Sequence, residues 1–175
     1  EGRIAIGYSC SFVPEPLLMA DRLFPVRMRA PGVAGTEIAD IYMSTLTCSY
    51  TRSLLEFAVD DRYDLIQGWV HVPSCAHMQR FIDNLEYLRK PVFSHVIDVP
   101  RKVTPFTTQW LADELGMLAG RLSDHFGIDT GAASLARAIE EWNRFCRAVL
   151  LLGDLRKKTS GAADTVPAAD RPQRT

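Results

Sequence analysis

Short apolar runs that stop at a turn signal and hand over to helical periodicity constrain this chain more than any other feature. "IAIGY" (Ile4–Tyr8) reads as a buried strand, "YDLIQGWVHVP" as a strand ending at Pro73, and "PVFSHVIDVP" as a strand closed by Pro100. Between and after them lie segments with apolar residues at helical spacing. One follows Cys48, with Leu54, Leu55, Ala58 and Val59 on one side. Another is "SCAHMQRFIDNLEYLRK", with Ser74 as its expected N-cap. A strand that feeds a helix and then another strand folds most simply as a parallel sheet covered by helices. The expected fold is therefore α/β: a three-layer, Rossmann-like domain on a mostly parallel sheet, followed by long C-terminal helices.

The remaining segments fit that frame. Pro14-Glu15-Pro16 is expected to open a helix through about Leu23, with Pro16 in the first turn where its missing N–H does no harm. "FPVRMRA" alternates as a short strand, and "IADIYMS" suits a strand or a helix. Thr104, Pro105 and Gly127 bracket a long amphipathic helix, as N-cap, first residue and C-terminal stop. A second helix begins at Ala133 and carries basic residues at its end. From Thr159 onward the chain is Ala, Pro and polar residues without periodicity. The expected division is a domain over 1–158 and a disordered or out-of-context tail over 159–175.

Composition excludes some partners. A net charge of −1 over 175 residues gives no reason to expect nucleic acid or an anionic membrane surface. No run reaches membrane-spanning length and no signal peptide is visible, so the expected compartment is the cytoplasm. The chain begins with Glu1 rather than Met.

The four cysteines are expected to be reduced, since a core of this size needs no disulfide staples. Their positions carry more information. Cys10 follows the first strand, Cys48 precedes a helix, and Cys75 follows the strand that ends at Pro73. All three fall at strand ends or helix starts, where exposed N–H groups favour a thiolate. Three thiolates on one rim of a sheet could hold an iron–sulfur cluster. Small buried hydrophobes are the competing reading, because free cysteine is among the most buried residue types. Cys146 lies inside a helix among apolar neighbours and reads as core.

The segments "GYSCSFVPEPLLMADRLFPVRMRA", "ADIYMSTLTCSYTRSLLEFAV", "YDLIQGWVHVPSCAHMQRFID" and "PVFSHVIDVPRK" resemble, in order, the 2-hydroxyacyl-CoA dehydratase family. That family also contains the ATP-dependent benzoyl-CoA reductase subunits and the double-cubane cluster proteins. The likeness runs from about Ile4 to Arg156 and looks like the N-terminal half of such a subunit. It implies a 4Fe–4S cluster held by three cysteines per subunit, with Cys10 and Cys48 at the two best-matching positions and Cys75 at a further one. A ligand supplied from outside this chain is the alternative to Cys75. It implies a lyase of anaerobic metabolism, which eliminates water from an (R)-2-hydroxyacyl-CoA through a ketyl radical. The implied partners are a sister subunit of the same family and an ATP-hydrolysing iron–sulfur activator that supplies the electron. A benzoyl-CoA-type or double-cubane reductase subunit is the runner-up. An α/β binding or scaffold domain without the cluster is the alternative of another class.

Three positions depart from the family's pattern: Pro16 where an acid is common, Asp21-Arg22 where Ala-Gly is common, and Ala76 where Asp is common. Ser11, Glu15 and His77 are candidates to lie beside the metal or substrate. Against them stand a polar cap for Ser11, a charge in a helix's first turn for Glu15, and a first-turn polar residue for His77. His71 reads as a hydrogen-bonded core or edge histidine. Arg27 and Arg29 alternate on a strand, facing either solvent or the phosphates of coenzyme A.

Overall fold

The computed structural model describes residues 2–163, with side chains to Lys157. Strands β1 (Ile4–Tyr8), β2 (Leu23–Arg27), β3 (Gly68–His71) and β4 (Ser94–Val96) form a parallel sheet in the order β2-β1-β3-β4. Parallel neighbours must be joined by crossovers, and these occupy both faces. Helices α1 (Ala39–Tyr42), α2 (Ser49–Val59) and α3 (Ala76–Arg89) fill the connections from β2 to β3 and from β3 to β4. Helices α4 (Pro105–Phe126) and α5 (Ala132–Ala163) follow the sheet. The α/β architecture and the long C-terminal helices are those the sequence implies.

Side-chain alternation along the strands builds two cores. Trp69 of β3 joins Leu54, Leu55 and Ala58 of α2 and Phe81, Ile82 and Leu85 of α3 on one face. Ile6 and Tyr8 of β1 and Val70 of β3 join Leu118 and Leu122 of α4 on the other. Pro25 falls on the edge strand β2, where a missing N–H removes no central ladder bond.

Local chemistry fixes the helix ends. Thr104 and Thr107 cap α4 reciprocally, and Gly127 closes it at φ 61°, as Pro105 and the glycine foretell. The ambiguous "IADIYMS" becomes α1, whose leading N–H groups, on Ile38 and Ala39, donate to the Glu56 carboxylate.

Three local expectations are corrected. The helix expected from Pro14 to Leu23 shrinks to a 3-10 turn at Leu17–Met19. Ala20 is extended and Asp21 takes a left-handed φ of 52°, which turns the chain into β2. The N-cap of α3 is Cys75, not Ser74. Helix α5 continues past Thr159 to Ala163, and residues 164–175 lie outside the described residues.

The described residues divide into two compact units, with the boundary between Ala138 and Ile139 inside α5. The second unit is the remainder of that helix. It carries half-buried Cys146, so that thiol is not a fully enclosed core residue. It also exposes Phe145, Val149, Leu150, Leu151, Leu152 and Leu155.

Candidate active site at the strand ends

The strand order reverses beside β1: the chain runs outward from β1 to β2, then crosses to β3 on the other side. In sheets of this kind the crevice beyond the strand ends at the reversal is where ligands bind. Cys10 leaves β1 and Cys75 leaves β3, so these two thiols flank that crevice. Cys48 reaches the same rim as the N-cap of α2. All are free thiols, half-buried at Cys10 and exposed at Cys48 and Cys75.

Cys48 is the most chemically prepared of the three. Its Sγ lies 3.3 Å from the Thr51 hydroxyl, whose single proton has two acceptors in reach, that sulfur and the Cys48 carbonyl at 3.0 Å. Slight burial pushes the Cys48 thiol up. The Thr51 hydroxyl and backbone, together with nearby His77, outweigh it and hold the thiol below its ordinary value. The Cys48 N–H donates to His77 Nδ1 at 3.1 Å, so α3's first turn and α2's start are joined through that imidazole. As acceptor, Nδ1 carries no proton, which leaves the proton of a neutral ring on Nε2.

Cys75 sits differently. Its Sγ accepts the Met78 N–H at 3.4 Å and so caps its own helix. Cys10 and Cys48 meet electrostatically at Tyr50: burial raises that phenol first, Arg27 and Arg29 lower it, and both thiols raise it again. The Tyr50 hydroxyl donates to the Met28 carbonyl at 3.2 Å.

Glu15 is not in a helix first turn. Its carboxylate accepts the Tyr8 hydroxyl, and Tyr8 is pushed well above the usual phenol range by burial first and by Glu15 second. Ser11 is exposed and accepts Arg27 Nη2 at 3.0 Å. A cleft of about 360 Å³ opens beyond β3 and β4, lined by Phe12, Ser74, Asp98 and Arg101 among others. The structure thus joins Cys48 to His77, keeps Cys75 on its own cap, and turns Glu15 toward Tyr8.

Beneath the rim, His71 is completely buried and neither ring nitrogen has a hydrogen-bond partner among the described residues. It is therefore a core histidine, but not a hydrogen-bonded one. It stacks on Trp69 and meets Phe81 edge-on, both with centroids 6.0 Å away. Burial lowers it to about 4. Continuing the β1–β3 register by one step sets Ser9, also buried and unpartnered, beside it. Sequence reasoning passed over Thr51. The signal was present, since a hydroxyl residue three positions after an N-cap is the capping-box spacing.

Residues 10–167 match the family described as 2-hydroxyglutaryl-CoA dehydratase, D-component. The chain belongs to this family. No curated protein matches it. The D-component family implies a component of a multi-subunit dehydratase that works with an activator on an acyl-CoA, and it is associated with iron–sulfur clusters. No helix among the described residues is long and apolar enough to cross a membrane.

The donor set suits a cluster in kind, being free thiols on one rim with one of them poised toward thiolate. The arrangement suits it only in part. Among the described residues no three Cys, His, Asp or Glu side chains stand close enough to hold a metal ion. The departure at Asp21-Arg22 falls at the turn into β2. Asp21 there takes a left-handed φ of 52°. Its N–H donates to Ser134 Oγ at 3.1 Å, and its carboxylate accepts the Asp129 N–H at 3.1 Å. Arg22 reaches the Phe126 carbonyl at 3.4 Å.

Proposed function

We propose that the chain is the iron–sulfur subunit of a radical (R)-2-hydroxyacyl-CoA dehydratase. The observation that carries this reading is the family match over 10–167 on a chain whose free thiols at Cys10, Cys48 and Cys75 fall at strand ends and helix starts. Cys10, Cys48 and Cys75 would hold a 4Fe–4S cluster. When bound, it supplies a Lewis-acidic iron and a one-electron carrier.

The chain's own residues have distinct parts in this reading. Thr51 stabilises Cys48 as thiolate, and His77 fixes the Cys48 peptide. The Tyr8–Glu15 bond holds the segment after Cys10 against β1. Cys75 Sγ accepts the Met78 N–H and, as thiolate, keeps further lone pairs for a metal. The cleft beside Phe12 and Ser74 would exclude water from the acyl group. A sister subunit and an ATP-hydrolysing activator are the partners this reading requires.

Anaerobic isolation followed by iron, sulfide and visible-absorbance measurement tests it. Iron and sulfide should be present in the wild type and absent from Cys10→Ser and Cys48→Ser. Unchanged iron in both variants would remove these residues as ligands. One observation favours a second reading, a scaffold domain without the cluster: no three donors are gathered among the described residues. Iron-free, colourless protein after anaerobic reconstitution would select that reading. Assaying loss of water from a 2-hydroxyacyl-CoA against reduction of benzoyl-CoA separates the dehydratase from the reductase variant.

A further inference from the structure

Four of the eight arginines in the first ninety residues show contrasting pairing. Arg52 is paired with Asp40 at 2.6 Å, and Arg89 with Asp61 and Asp64. Arg27 and Arg29 have no carboxylate within 4.0 Å among the described residues, although they are close together. They flank Met28, which is fully buried, so both guanidiniums project outward from the edge-strand side of the sheet. Alternate residues of an extended segment lie about 7 Å apart, a span that one phosphate group between two guanidinium forks can bridge.

The surface between them is concave. A hollow of about 420 Å³ is lined by Arg27, Arg29, Ala30, Pro31 and Tyr50. The backbone carbonyls nearby are already engaged: Met28's accepts Tyr50 and Arg29's accepts Tyr63 at 2.8 Å. Glu15, which acts on Tyr8 together with both arginines, is turned to the Tyr8 hydroxyl. Arg27 gives one N–H to neutral Ser11, leaving most of its fork and all of its charge available. The hollow therefore presents two positive charges, a tyrosine wall and no internal anion.

The geometry points to a phosphate-binding subsite formed by Arg27, Arg29 and Tyr50. Resting on the acyl-CoA reading above, its ligand is the ribose 3′-phosphate of coenzyme A, with the tyrosine ring beside the adenosine. The Arg27–Ser11 bond ties this hollow to the segment that carries Cys10. A guanidinium contact to a phosphate survives in water because it is charge-assisted and bidentate, and each phosphate contact gives the affinity a measurable salt dependence.

Titration calorimetry on the intact protein in phosphate-free buffer tests the site with coenzyme A, 3′-dephospho-coenzyme A, adenosine 3′-phosphate, inorganic phosphate and a polyglutamate peptide. Coenzyme A should bind about 10- to 100-fold more tightly than the dephospho form, the range expected for losing a hydrogen-bonded charge. Arg29→Gln and the Arg27→Gln/Arg29→Gln double variant should erase that ratio and flatten the salt dependence, and Arg29→Lys should recover part of it. Both arginines are exposed, and thermal melting checks that the variants fold. Equal binding of coenzyme A and its dephospho form, or unchanged affinity in the double variant, overturns the site while the iron measurement still decides the dehydratase reading. Arginine-dependent binding of adenosine 3′-phosphate or inorganic phosphate without coenzyme A supports the anion site and removes acyl-CoA as its source. Arginine-dependent binding of polyglutamate alone overturns it in favour of an acidic protein partner.

Discussion

Helices α2 and α3 both begin on a cysteine, and the two thiols face opposite fates. At Cys75 the sulfur satisfies one of the orphan N–H groups that every helix start leaves, as a serine would. At Cys48 the neighbouring threonine hydroxyl turns toward the sulfur, and the Cys48 N–H is held by an imidazole from the other helix. The two caps thus differ in what stands beside the sulfur: the helix's own N–H at Cys75 and a side-chain hydroxyl at Cys48.

The strongest way to sharpen the contrast is acid. His71 lies against Phe81 on the α3 side, and burial holds it near 4 against an ordinary 6.5. An unfolded chain takes up that proton near pH 6.5 and the folded chain only near 4, so protonation favours unfolding. Stability should be fully present above pH 6.5 and fall by roughly 3 kcal/mol as the pH drops toward 4. Denaturant melts across that range should show this slope, and His71→Leu should remove His71's part of it. His95, lowered by burial and by the Arg121 guanidinium, would keep a smaller part. Identical pH slopes in the wild type and His71→Leu would mean that the imidazole is not held neutral by burial.

The next effect separates cap from thiol. Cys75→Ala should cost about 1 kcal/mol, the usual loss of a helix N-cap, while Cys75→Ser should keep or improve the midpoint. If Cys75 is also the third iron donor, Cys75→Ser loses iron without losing stability. Equal melting of the Ala and Ser variants would mean that the sulfur contributes nothing to α3.

The smallest effect lies in reactivity. Thr51→Val removes the hydroxyl from Cys48 and keeps the buried shape. The pH dependence of Cys48 alkylation, followed by peptide mass spectrometry, should move to higher pH, with Cys75 in the same samples as an unmoved reference. A Cys48 profile that stays in place would show that Thr51 does not tune it.

The sheet and its two helical layers were legible because strand runs, prolines and helical periodicity agree with one another from Ile4 to Phe126. The placement of Cys48 and Cys75 at helix starts was legible from the same pattern. Cys75's cap was misassigned to Ser74, since either neighbour satisfies the local rule and only the backbone turn after β3 decides. The helix expected at Pro14–Leu23 failed at Asp21, where contacts more than a hundred residues away hold a left-handed turn. The Cys48–His77 bond joins residues on separate helices across 29 positions, which no local pattern encodes. Arg27 and Arg29 were visible as an alternating pair, but the hollow between them depends on Tyr50 arriving from α2.

The tie from Asp21 to Ser134 and Asp129 also has a consequence for the order of assembly. It spans 113 and 108 positions, so it forms only after nearly all of the first unit has been made and gathered. Until then, the far end of the segment after Cys10 is held by near neighbours alone, through the Ile4 N–H on the Arg22 carbonyl at 2.9 Å and the pairing of Ile4 with Leu23. The left-handed bend at Asp21 is the part of this connection that waits for the first turn of α5.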